Sequence, residues 1–351
     1  MNKRSAMLRL SCSALRILKW LQHIERGRTM SLSVYDIANI PLGELMSEAA
    51  RLRADTFDNR VDLCAIVNIK SGRCSMNCRF CAQSEHYNTG VDVYPLRNAD
   101  DLINSTRTIW ESGVDRVGWV ASGCKLSSSD LDKVLSSADK LAEEASDKSN
   151  TKSNTESNEV RGSLCCASFG QLDKNSLQRL KSAGFVHYHH NLETSERFYP
   201  SICTTQRWRD RFATINRVLD LGWEVCSGGL FGLGETWEDR IQLAQTLKKL
   251  NVKSVPLNFY HPVVGVPLSG CVPMGVEEGL RIISLFRIML PEASLIICGG
   301  RPKIFADCGE ELFQAGANSL MTGNYLTTNG ISPTNDKKMI NDAGFSLRKI
   351  N

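Results

Sequence analysis

Residues 63–83 read Leu-Cys-Ala-Ile-Val-Asn-Ile-Lys-Ser-Gly-Arg-Cys-Ser-Met-Asn-Cys-Arg-Phe-Cys-Ala-Gln. The first seven are an apolar, β-rich run, and Ser71-Gly72 supplies the turn signal that ends a strand. The loop that follows carries Cys74, Cys78 and Cys81, spaced CxxxCxxC. Three thiolates so spaced reach three corners of one iron–sulfur cube and leave its fourth iron without a protein ligand, whereas clusters that only carry electrons usually take four cysteines. An open iron is a place for a small chelating molecule to bind. The competing reading is structural zinc, which needs a fourth Cys or His; His86 stands near enough in sequence to be one.

Working outward, the chain repeats this strand-then-helix rhythm. Apolar β-rich runs fall at 63–69, 116–121, 164–169, 187–192, 224–231, 254–260, 294–298 and 319–325. Helical periodicity fills the gaps at 102–110, 131–142, 176–183, 209–221, 237–250, 276–290 and 311–315, and precedes the first strand from Tyr35 to Ala49. Eight strands alternating with helices is the count of an α/β (β/α)8 TIM-type barrel, and a doubly wound sheet usually has fewer units. Residues 145–159 (ASDKSNTKSNTESNE) hold no large apolar residue and read as a disordered surface insertion in a barrel domain spanning 33–351. Residues 1–32 read as a basic N-terminal extension outside that domain, either disordered or an untranslated leader ahead of Met30, with a transit peptide as the competing reading.

Charge and cysteine content narrow the function. The formal net charge is +4, but residues 1–29 carry seven Lys/Arg against one Glu, which leaves the body at −2. That body lacks the basic balance of a polyanion binder, so no nucleic-acid partner is expected. Without an apolar run of about 18 residues, no membrane partner is expected either. Thirteen cysteines, an odd number in a long chain, suit metal or cluster ligation in a reducing compartment better than a disulfide framework.

Phe80, just before the third cysteine, completes CxxxCx(aromatic)C after a first barrel strand, and this resembles the radical S-adenosylmethionine superfamily. Further runs in order narrow the resemblance: NIKSGRCSMNCRFCAQS, HYNTG, YHHNLETS (188–195), ICTTQRWRDR (202–211), VCSGGLFGLGETWEDR (225–240), VPLNFYHPVVGVPL (255–268) and CGGR (298–301) look like the biotin synthase family. The resemblance implies a sulfurtransferase that inserts sulfur into dethiobiotin to form biotin. A paralogous radical enzyme, of hydrogenase-cofactor maturase or mutase type, is the alternative.

The resemblance also implies roles. Cys74, Cys78 and Cys81 match the ligands of a [4Fe–4S] cluster that binds S-adenosylmethionine. Cys166, Cys226 and Arg301 match ligands of an auxiliary cluster, [2Fe–2S] or a four-iron variant. Gly118 stands where many members have a further ligand cysteine, and Cys203 is the first candidate to replace it, with Cys124 and Cys165 behind it. Asn191, Glu193 and Arg211 match cofactor contacts; His189, Asn191 and Asn258 match the substrate side. Gly228 and Gly229 read as making room for the methionine moiety. Cys64 and Cys298 are assigned to packing. A flavodoxin- or ferredoxin-type electron donor, a homodimer and a cytoplasmic location (mitochondrial with a transit peptide) complete the expectation.

Overall fold

A computed structural model of the chain describes residues 40–114, 116–149 and 165–348. Helix α1 (Leu42–Phe57) leads into β1 (Arg60–Lys70), then α2 (Ala99–Glu111), β2 (Arg116–Ala121), α3 (Ser128–Ser149), β3 (Cys165–Ser168), α4 (Lys174–Ser182), β4 (His187–His189) and α5 (Trp208–Asp220). The second half continues with β5 (Glu224–Cys226), β6 (Gly229–Phe231), α6 (Trp237–Lys249), β7 (Ser254–Phe259), α7 (Val276–Met289), β8 (Ser294–Ile297), α8 (Arg301–Ile304), α9 (Glu310–Gln314), β9 (Ser319–Met321), α10 (Pro333–Asp342) and β10 (Ser346–Leu347). All ladders are parallel, and β1 pairs with both β2 and β9, which closes the sheet into a barrel.

Strand alternation divides the residues into two layers. On β2, Val117 and Trp119 are fully buried under the helices, where the Trp119 indole donates to Thr106 Oγ1 at 2.9 Å. The residues between them, Arg116, Gly118 and Val120, face the barrel interior and line a cavity there. On β1, Val61, Leu63, Val67 and Ile69 form the outer core, while Cys64 and Ile66 line the cavity. The outer shell includes an unusual cation: Arg287 is fully buried and donates to the carbonyls of Gly316, Leu290, Pro291 and Ala293 and to Asn318 Oδ1. It ties α7 to the chain segments flanking β8 and β9.

All eight expected strands are present, but the fifth is split into β5 and β6. A Cβ added to Gly228 would lie 1.9 Å from the Pro256 carbonyl oxygen, and one added to Gly229 would lie 2.5 Å from that of Glu193. Neighbouring backbone thus occupies the space that a side chain would need at both positions. Gly228→Ala is therefore expected to overpack the fifth and sixth strands at a cost of about 1–3 kcal/mol. Calorimetry should find a melting temperature lowered by several degrees; an unchanged value contradicts this account.

Two further differences have local causes. Helix α3 runs to Ser149, so the first residues of the expected insertion extend a helix whose charged and small residues are compatible with it. The rest of that insertion, and the whole 1–32 extension, lie outside the described residues. Strand β10, two residues long, is too short to show alternation, yet it pairs Ser346 with Arg60 at the start of β1.

Candidate active site

The loop after β1 is built from its own polar residues. Gly72 and Arg73 take positive φ (74° and 50°), and the Gln83 side chain accepts from the Gly72 amide and the Ser71 hydroxyl. Cys74 N donates to Gln83 O at 2.9 Å, and Glu85 N donates back to Cys74 O at 2.8 Å. Asn77 reaches the ICTT run, donating to Thr204 Oγ1 at 2.7 Å and accepting from the amides of Thr204 and Thr205. With the loop so held, Cys74, Cys78 and Cys81 all line the cavity at the C-terminal end of the strands, as does Phe80. His86 does not join them: its Nε2 is 3.1 Å from the Ser75 carbonyl. Among the described residues, no three His, Cys, Asp or Glu groups stand close enough to share one metal ion.

Cys203 is placed differently from the expectation. It is buried against Cys78, with its Sγ 3.6 Å from Asn77 Oδ1, so it backs the three-thiol loop and lies away from Cys166 and Cys226. Its hydrogen bond to Cys78 pushes the Cys203 thiol down and Cys78 up.

Beyond the loop, one wall of the cavity is polar. Glu193 sits at φ +70°, pinned by Glu193 N donating to Gly228 O and Leu230 N donating to Glu193 O. Its carboxylate stands 3.5 Å from Arg211 Nη1 and accepts from Asn191 Nδ2 at 3.4 Å. Burial raises the Glu193 pKa while Arg211 opposes the rise. The Arg211 guanidinium is oriented by Tyr199 Oη (2.8 Å), Gln206 Oε1 (2.9 Å) and the Asn191 carbonyl (2.9 Å). Burial, with help from Arg211, pushes His189 down to about 4, so at neutral pH it serves as an uncharged hydrogen-bonding group. His190 also lines the cavity, and its Nε2 has no partner among the described residues. An unpartnered buried ring nitrogen beside a half-buried carboxylate and guanidinium fits a zwitterionic ligand better than an apolar one. Asn258 is committed to backbone, donating to Gly229 O at 3.2 Å and accepting from Gly299 N at 3.0 Å.

The opposite end of the cavity is sulfur-rich. Cys166 and Cys226 line it together with Cys64, Cys298 and Arg116. Gly118 faces the same space, 3.9 Å from the Cys166 Cβ by the position its own Cβ would take. Cys124 lies instead near Cys74, bonded to Gln171 and Gln206, and Cys165 alternates outward into the helical core. Arg301 is placed differently from the expectation. It is 1% exposed and does not line the cavity. Both of its Nη atoms are held by Asp336, at 2.8 and 2.7 Å, and Nη2 also donates to Met321 O. The positive φ of Gly300 (83°) turns the chain out of β8 into α8 and carries Arg301 toward α10. The cation that lines the cavity with these thiols is Arg116, which sequence reading passed over, and Arg301 acts on Cys64 and Cys298 from outside the lining.

One cavity of about 440 Å³ thus joins a three-thiol mouth to a sulfur-lined floor, a size suited to small molecules. Some six residues of β1, roughly 20 Å of strand, separate Cys64 from the end of the strand.

Comparison with known proteins agrees with this layout. A Radical SAM superfamily model matches residues 68–247, and a Biotin and Thiamin Synthesis associated domain model matches 256–346. A biotin synthase of Desulfovibrio desulfuricans is 44% identical over 311 residues, covering 89% of this chain and 93% of its own. One from Clostridium tetani is 42% identical over 306 residues, 87% and 89% of the two chains. Among solved structures, a methylornithine synthase superposes with a TM-score of 0.73 at 18% identity, over 94% of this chain and 97% of its own. The FeFe-hydrogenase maturase from Carboxydothermus hydrogenoformans gives 0.74 at 20%, over 96% and 80%. At that identity these two speak for the fold alone. The relatives above 40% identity decide between the alternatives left by the motifs: the chain belongs to the biotin synthase family of the radical S-adenosylmethionine superfamily.

Proposed function

We propose that the chain inserts sulfur into dethiobiotin to make biotin, with S-adenosylmethionine as the source of the radical. The observation that carries this is the single cavity with Cys74, Cys78 and Cys81 at one end and Cys166 and Cys226 at the other. When bound at the three thiols, a [4Fe–4S] cluster supplies the electron that cleaves the sulfonium to a 5′-deoxyadenosyl radical, chemistry no side chain provides.

The residues of this chain do the rest by position. Cys74, Cys78 and Cys81, which line the cavity, would hold that cluster. Glu193 and Asn191 offer acceptors for a ribose diol, and Arg211 offers a cation for a carboxylate as well as holding Glu193 in place. His189, neutral, and Asn191 face a ureido group from the same wall, while Asn258 braces the backbone of β6 against Gly299. Ile66, Val120 and Leu230 close the sides against water, so that a reactive primary radical meets the C–H bond placed before it. Cys166 and Cys226 are proposed as ligands of the sulfur-donating auxiliary cluster. A barrel domain from residue 33 to 351, a flavodoxin- or ferredoxin-type donor, a homodimer and a cytoplasmic workplace are proposed on the family resemblance.

Anaerobic reconstitution with iron and sulfide, followed by reduction with dethiobiotin and S-adenosylmethionine present, is expected to yield biotin together with 5′-deoxyadenosine. Deoxyadenosine without biotin favours the paralogue and overturns the reading. Glu193→Gln is expected to raise the KM for S-adenosylmethionine about tenfold, the loss of roughly 1.4 kcal/mol of charge-assisted binding. A change confined to the KM for dethiobiotin would place Glu193 on the wrong ligand.

A further inference from the structure

The four inward residues of a barrel layer come from alternate strands, and with a shear of eight each step of two strands advances the layer by two residues. The register pairs trace such a layer here. Cys64 on β1 sits two residues before Ile66, which pairs with Gly118 and through it with Cys166 on β3. Cys166 pairs with His187, two residues before His189, which pairs with Cys226 on β5. Cys226 continues through Ser254 to Ser294 on β8, two residues before Ile296, and Ile296 returns through Ser319 to Asp62, two residues before Cys64. The layer is therefore Cys64, Cys166, Cys226 and Ile296. Cys298, the next inward residue after Ile296, is fully buried and packs in one cluster with Cys64, Ile296 and Cys226.

Three alternate strands thus contribute a cysteine, and the fourth contributes one a single inward step above the layer. All four thiols line the floor of the cavity together with the cation Arg116, while Arg301 acts on Cys64 and Cys298 from behind the wall. No disulfide joins any of them. A thiol set gathered from four sides of a barrel, beside a half-buried positive charge that no carboxylate hydrogen-bonds among the described residues, is what an anionic sulfur-ligated cluster needs and what apolar packing does not.

Resting on the reading of the chain as a sulfur-inserting enzyme, we infer that Cys64 and Cys298 complete, with Cys166 and Cys226, an all-thiolate ligand set for the auxiliary cluster, with Arg116 as its fixed counter-charge and Arg301 outside it. This assigns a role to two cysteines that the motifs leave to packing, and it answers the glycine at position 118 without Cys124, Cys165 or Cys203.

The test is iron content and Mössbauer spectra of the full chain, reconstituted anaerobically, with single Cys→Ser changes. In C64S and C298S the iron of the auxiliary cluster is expected to fall at least fivefold while the signal of the three-thiol cluster stays; C165S, next to a ligand but facing outward, keeps both. Full auxiliary iron in either C64S or C298S, with loss in C166S, overturns the ligand set and leaves the functional reading standing. Full iron in all three overturns both. The unmodified chain provides a measurement that no folding defect can blur. Pulsed EPR of its reduced clusters, taken without S-adenosylmethionine, is expected to show no strongly coupled nitrogen, and a directly ligated nitrogen contradicts an all-thiolate set.

Discussion

A Cys78→Ser chain is expected to lose 5′-deoxyadenosine formation by at least about a thousandfold, roughly 4 kcal/mol in barrier terms. The reason is chemical before it is structural. Removing one of three thiolates leaves a cube that already lacks a protein ligand at one corner with only two anchors. None of the remaining side chains can replace the electron it delivers. The loop itself should survive, because its shape rests on Gln83, Asn77, Thr204 and Ser84, and a serine at 78 still offers a hydrogen-bonding group to Cys203. The change is therefore expected to leave the melting temperature of the metal-free chain within a few degrees of the original while iron content and S-adenosylmethionine cleavage collapse. Both quantities are read from one anaerobic preparation. Cleavage at the original rate would mean that the three-thiol loop is not where the cofactor binds.

The largest stability effect is expected at Asp336. Its carboxylate and the Arg301 guanidinium form a two-point pair with side chains 1% and 2% exposed. Asp336→Ala leaves that guanidinium charged in a dry site, held by the Met321 carbonyl beside the Tyr325 hydroxyl, with no carboxylate to balance it. Breaking a buried pair in this way costs about 3–5 kcal/mol, whereas exchanging both partners for apolar residues of similar size is often neutral. Urea unfolding should therefore rank Asp336→Ala well below both the parent and the double change R301M/D336L. The double change separates two roles for Arg301. If the arginine is a structural partner of α10, auxiliary iron stays with the double variant; if it ligates the cluster, that iron is lost although the fold is kept.

The barrel was legible because its signals are short-range. Each strand is an apolar β-rich run with polar turn residues after it, and each helix shows its own period. What escaped depends on groups far apart in sequence. The break in the fifth strand follows from the carbonyls of Pro256 and Glu193 crowding Gly228 and Gly229. Arg301 reads from its CGGR setting as a residue at the end of an inward strand. Gly300 turns it away, and its partner lies 35 residues later at the start of α10. Cys203 is brought to Cys78 by hydrogen bonds between Asn77 and two threonines more than 120 residues on. Cys64 and Cys298 did carry a signal, since strand alternation sets both on the inward face, but ranking them above Cys124 or Cys165 takes the register of the whole barrel. Arg116 is the same case: one strand residue before Val117 faces out, it looks like a terminal charge until the strands are closed.

The measurement that bears most directly on the account follows the sulfur. The chain is reconstituted with heavy-isotope sulfide, freed of unbound sulfide, and given dethiobiotin, S-adenosylmethionine and a reductant for one turnover. The account predicts biotin whose sulfur is the heavy isotope, because the atom comes from the floor of the cavity. Biotin carrying light sulfur, or formed equally well after Cys166 and Cys226 are replaced, would contradict it.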